Sequence, residues 1–185
     1  MKRFVALALV CLCTFATASD RQTKPKKNQA IPYSDADGYQ VLSSVIDART
    51  EKLKDGSVSI FHQTVSEDAF AEVRAECSNR FRGEFQSTLE DFDKKAKTTF
   101  LLQREFAIHR DYRFVEAVVG VQTGIYSMSA VGFDEDKTHA IVLVQYLVRP
   151  AGSIILGGSR AFYLFRRTST GWQPAADIPA CGQIY

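Results

Sequence analysis

The side chains able to do chemistry in this chain are few and scattered. His62, His109 and His139 are far apart, and no two have metal-ligand spacing. His62 and His109 fall on expected strands and are the candidates for a base, while His139 opens a strand just after a charged turn. Asp134-Glu135-Asp136 lacks the glycine and the number of oxygens that a calcium loop needs, and in Asp35-Ala36-Asp37-Gly38 the glycine comes two residues too early. The nucleophile elbow G-x-S-x-G, the phosphate loop and the dinucleotide fingerprint are all missing. The sequence therefore predicts no catalytic residue, no metal ligand and no cofactor. Its charged helix positions, Glu90, Asp91, Asp93, Lys94 and Lys95, read as a solvated face.

The segment Arg149 to Ser159 (RPAGSIILGGS) is harder to read as scaffold. It is rich in glycine yet carries Ile154-Ile155-Leu156 at its centre. An apolar triplet in a loop is either folded onto the sheet or used to bind something. Ile154, Ile155 and Leu156 are thus candidate binding residues. The late strands hold Phe133, Tyr146, Phe162, Tyr163, Phe165 and Trp172, which suit a pocket wall as well as a core.

The N-terminus sets the expected compartment. Met1-Lys2-Arg3 is basic, Phe4 to Phe15 is uncharged and mostly apolar, and Ala16-Thr17-Ala18 is an A-x-A cleavage signal. That order predicts a secretory signal peptide over 1–18, cut before Ser19, and a secreted or periplasmic product. The apolar run is too short for a membrane span, which takes about 20 residues, and no later segment qualifies. Cleavage would remove Cys11 and Cys13 and leave Cys77 and Cys181. In an oxidising compartment these two form a disulfide closing a loop of just over 100 residues, or else remain a buried free Cys77 and a frayed Cys181. Losing Lys2 and Arg3 takes the formal charge from +2 to 0. Arg21, Lys24, Lys26 and Lys27 against Asp20 give segment 19–32 a net of +3, so the remainder carries −3. A near-neutral body argues against nucleic acid as a partner.

The elements that must position these residues follow from periodicity. Residues 19–33 read as a basic linker, with a single domain over 34–185. Ser34 to Asp37 marks a helix start, and Tyr39, Leu42, Val45 and Ile46 share a helical face, giving a helix over about 36–47. Ser57 to Val65 is β-branched and aromatic, hence a strand. Ser66-Glu67-Asp68 starts another helix, whose Phe70, Val73 and Cys77 face inward. Gly83 interrupts, and Phe85, Leu89, Phe92 and Ala96 form the next stripe. Strands follow at about 103–109, at Ile125 to Phe133, at Thr138 to Val148, at Arg160 to Arg167 and at Trp172, with tight turns at Asp134 to Lys137 and Ser169 to Gly171. Thr138 to Val148 is apolar on both parities and must be a central strand covered on both sides. The fold class is α+β, with N-terminal helices packed on a curved antiparallel sheet of about 5–6 strands.

The segment Gly124 to Asp134 (GIYSMSAVGFD), followed by DKTHAIV from Asp136, resembles an uncharacterised family of secreted bacterial proteins. Phe162 to Arg167 and Gly171-Trp172 are similar to that family's closing strands, and Tyr39 to Ser43 to its early helix. The resemblance implies export and a common fold, but no activity. Family members carry cysteines in the loop where this chain has Ala151, Gly152, Gly157 and Gly158, so the resemblance implies Cys77–Cys181 as the only pairing. At fold level the pattern is similar to the cystatin or NTF2-like cone. Together these observations predict an exported, non-catalytic module that binds an unknown protein or a small apolar ligand, with no stable membrane span after cleavage. The alternative is a cone-shaped pocket that binds or turns over a small apolar molecule, using His62 or His109 with an acid.

Overall fold

The computed structural model describes residues 31–51, 57–66, 70–77, 80–81, 83–116, 124–148, 157–176 and 180–184. The signal segment 1–18, the linker up to residue 30, Glu67 and Asp68, and the triplet Ile154, Ile155 and Leu156 lie outside the described residues. The fold is α+β, as expected. Helix α1 (Ala36–Thr50) covers one face of a mixed sheet, and α2 (Ala71–Cys77) and α3 (Gln86–Lys95) cover the other.

The described strands are β1 (Ile31–Pro32), β2 (Val58–Phe61), β3 (Phe100–Leu101), β4 (Tyr112–Val115), β5 (Ile125–Met128), β6 (Gly132–Phe133), β7 (His139–Val148), β8 (Gly157–Thr168), β9 (Gly171–Pro174) and β10 (Cys181–Ile184). Eight of them form one sheet, in which the path β10-β8-β7-β5-β2-β4 carries β6 on β7 and β9 on β8. The sheet is larger than expected and is not purely antiparallel. The early strand β2 inserts between β4 and β5 and runs parallel to both. β1 and β3 form a separate parallel pair, so the last residues of the expected linker belong to the fold.

α1 begins at Asp35, whose carboxylate accepts from the Gly38 N–H at 3.2 Å, so the cap is Asp35 and not Ser34. Its stripe of Tyr39, Leu42, Val45 and Ile46 is buried against β2, β5 and β7. On the opposite face Phe162 is the hub, with Phe81 and Phe92 each at 5.3 Å and Phe70 at 6.3 Å between ring centroids. The expected stripe of Phe85, Leu89, Phe92 and Ala96 is buried here. β7 supplies Ala140, Val142 and Val144 to the first cluster and Ile141 and Leu143 to the second, which makes it a central strand covered on both faces. Cys77 and Cys181 are buried in the second cluster with their sulfurs 2.08 Å apart, at disulfide distance, joining α2 to β10.

Two expected strands differ. Residues 129–131 interrupt Ile125 to Phe133, because three residues there face two on β7: Met128 pairs with Val144 and Gly132 with Ile141. This is a bulge. The Ser129 side chain closes it, accepting the Leu143 N–H at 3.0 Å. Residues 103–109 form no strand. Their backbone runs along α1 and donates to helix side chains, Gln103 N–H to Tyr39 Oη, Ala107 N–H to Ser43 Oγ and His109 N–H to Asp47 Oδ1. Tyr39, Ser43 and Asp47 are four apart and share one face of the helix. They take the place of a neighbouring strand in satisfying these N–H groups.

Candidate binding site

The stripe of α1 does not end in an apolar residue. Tyr39, Leu42, Ile46 and Arg49 follow one another at spacings of three and four, so the Arg49 side chain leaves the last turn toward the sheet. A cation there suits the carbonyl end of the helix. Its Nη2 donates to Ser159 Oγ at 2.9 Å and its Nη1 to Tyr163 Oη. Ser159 and Tyr163 lie on the same face of β8 with Ala161 between them, and that small side chain leaves room for the guanidinium fork. Tyr146 of β7 stands opposite Ser159, and Tyr126 of β5 stands opposite Tyr146. The guanidinium carbon is 5.5 Å from the Tyr146 ring centre and 6.0 Å from that of Tyr163, and the Tyr126 and Tyr146 rings are 5.0 Å apart. Burial pushes the Tyr126 phenol up, against the pull of the Arg49 charge. A side chain on Gly124 would meet the Tyr146 ring at 2.0 Å, so the ring occupies space that this glycine leaves.

Arg49, Tyr146, Ser159 and Tyr163 are half-buried. The partners of Arg49 among the described residues are hydroxyls and rings, with no carboxylate. Other cations of the fold have one: Arg74 pairs with Asp93, Lys95 with Asp91, Lys137 with Asp37 and Arg166 with Glu84. The box sits where β7 ends at Val148 and β8 begins at Gly157, the two ends of the apolar loop.

The remaining chemical residues are used structurally. Asp35, Asp37 and Asp91 engage Lys95, Lys137 and Arg167, and both lysines lie over Phe133, at 5.0 and 5.1 Å. Asp91, Lys95 and Lys137 of this network line a cleft of ≈ 690 Å³ between α3 and the Asp134–Lys137 turn. Lys137 closes that turn at φ 51. The Asp37 carboxylate strengthens its proton affinity and holds Lys137 above its ordinary value. Burial pushes Asp134 up, but the N–H groups of His139 and Thr138, with the Thr138 hydroxyl and the His139 ring, outweigh it and hold the carboxyl low. His139 is bracketed by Asp134 at 2.8 Å and Glu84 at 3.5 Å. His62 stacks on Phe114 at 4.7 Å. His109 does meet an acid, Asp47 at 2.8 Å, but its side chain is 91% exposed. Their cleft, ≈ 560 Å³, has Thr50, Glu51 and Arg110 in its walls and lies beside α1, away from the sheet face. Among the described residues no three His, Cys, Asp or Glu side chains converge as a metal ion requires. No helix of the described residues is long and apolar enough to cross a membrane.

Sequence reading reached Tyr146 and Tyr163 as possible pocket wall, but sent Phe162, Phe165 and Trp172 there too, and these are core. It missed Arg49. The signal was present as an arginine in register with the apolar stripe, just beyond the expected helix end. No protein-family model, curated protein or solved structure matches this chain.

Proposed function

We propose that this protein is an exported, non-catalytic binding module whose ligand face is the end of the sheet where β7 ends and β8 begins. The observation that carries the reading is the Arg49 box: a half-buried guanidinium with no carboxylate partner among the described residues, set among three tyrosines. A charge drawn partly out of water without a counter-ion is costly, and a ligand that brings one offsets that cost. Export rests on the N-terminal pattern and agrees with the buried cysteine pair at disulfide distance. The partner is a small molecule or a protein segment that fits this face.

The test is a thermal-shift screen of the purified protein against a broad panel of small molecules and peptides. Hits are then mapped by NMR on labelled tyrosines. Stabilising hits that move Tyr126, Tyr146 and Tyr163 support the reading. Hits that leave these rings unmoved and map elsewhere refute the site, and turnover of a hit refutes the non-catalytic role.

A further inference from the structure

We infer that the Arg49 box takes an organic monoanion, a carboxylate carried on a flat aromatic or unsaturated body. This rests on the binding role proposed above and names its ligand class.

Each hydrogen bond of the box has a fixed direction. Guanidinium is always charged and has only donors. Ser159 Oγ and Tyr163 Oη accept from it, so each hydroxyl has used a lone pair and still holds its own proton. The two hydroxyl protons must point away from the cation. The remaining N–H groups of Arg49 and these O–H groups then form a set rich in donors, centred on a fixed positive charge. Such a set is complementary to an anion, and the guanidinium charge repels an ammonium group.

The charge count sets the valence. One guanidinium stands in the box, and no lysine or second arginine is bonded to it among the described residues. A single negative charge balances it, whereas a phosphate dianion would leave one charge over. The rings set the body. Tyr146 lies under the guanidinium on one side, the Tyr126 ring is tilted at 45° beside it, and the small Ala161 lies between Ser159 and Tyr163 on β8. Flat apolar surface beside a carboxylate fits those faces. Arginine also suits this ligand better than lysine would, because its fork can hold both carboxylate oxygens.

The test uses sodium benzoate as probe at constant ionic strength, with acetate, inorganic phosphate, benzyl alcohol and benzylamine as comparisons. NMR follows the Arg49 Nε–Hε and the tyrosine rings of the purified protein. Benzoate is expected to give saturable shifts, with acetate and phosphate at least about tenfold weaker and the neutral and cationic analogues silent. Arg49→Gln should weaken benzoate at least about tenfold, and Tyr163→Phe by a few-fold because it removes one donor. The phenylalanine variant keeps the test decisive if Arg49→Gln does not fold. Benzyl alcohol matching benzoate at the same rings overturns the anion assignment and leaves the binding site standing. Phosphate matching benzoate overturns the flat body. If no probe moves these resonances, the ligand class is wrong, and the broad screen above then decides the site by itself.

Discussion

Gly132→Ala is predicted to cost about 1–4 kcal/mol of stability, because its Cβ would collide with the main chain of a packed helix. Gly132 has no left-handed φ, so alanine fits its backbone. The added Cβ does not fit its surroundings. It would lie 2.5 Å from Phe92 Cβ, 2.6 Å from Phe92 N and 2.6 Å from Thr88 O. Ordinary contact begins at 3.4 Å and the nearest atom is at 2.5 Å, so the helix must retreat by 3.4 − 2.5 = 0.9 Å. Two of the three atoms are main chain of α3, which cannot swing aside. Overpacking of this kind costs about 1–3 kcal/mol. The retreat also stretches two bonds that tie α3 to the β6 region, Phe133 N–H to Asp91 at 2.9 Å and Lys95 to the Val131 carbonyl at 3.0 Å. One of them weakened adds about 1 kcal/mol. Stiffening of the unfolded chain returns about 0.4–1 kcal/mol. The net is a fall in Tm of about 2–16 °C. The assay is urea unfolding followed by the fluorescence of Trp172, the single tryptophan, which is buried with its ring 5.3 Å from Phe133. A change under about 0.5 kcal/mol would refute the close approach of α3 to β6.

Four other outcomes are expected. Replacing both Cys77 and Cys181 by alanine should cost about 2–5 kcal/mol, since the pair closes 104 residues of chain, and unchanged stability after reduction of the native protein would contradict this. Mass spectrometry of the unreduced protein should find both thiols bonded. Phe162→Ala empties the hub of three phenylalanines and should cost about 3–5 kcal/mol in the same urea assay, while a loss under about 1 kcal/mol would mean the cluster collapses to fill the gap. Asp134 has its carboxyl held below 3.8, so its stabilising effect is present above that value and is lost as pH falls through the lower folded one. Urea midpoints taken from about pH 5 down to about 2 should fall less steeply in Asp134→Asn than in the native protein, and equal slopes would argue against the turn contacts.

Much of the local structure was readable because it is encoded at short range. The Tyr39, Leu42 and Ile46 stripe, the Phe85, Leu89 and Phe92 stripe and the tight Asp134–Lys137 turn all depend on residues within a few positions of one another. Residues 103–109 misled for the same reason. Their composition suits a strand, yet their N–H groups are satisfied by Tyr39, Ser43 and Asp47, about 60 residues earlier. The binding box behaved likewise. Tyr146 and Tyr163 were visible as aromatic strand residues, but nothing near Arg49 in sequence says that its guanidinium ends between Ser159 and Tyr163.

Sequence by itself determined the types of most elements, the two-faced burial of Thr138 to Val148, the inward direction of Cys77 and the expectation of export. Each follows from periodicity, composition or a short ordered pattern. Only the tertiary structure decided that β2 enters the sheet parallel between β4 and β5, that Gly132 is where α3 touches the strand backbone, and that Arg49 faces tyrosines from three strands. Side-chain parity tells a strand which face is buried, but it does not tell it which neighbour to take. That choice is set by contacts between residues far apart in the chain, each marginal alone and compatible with one topology together.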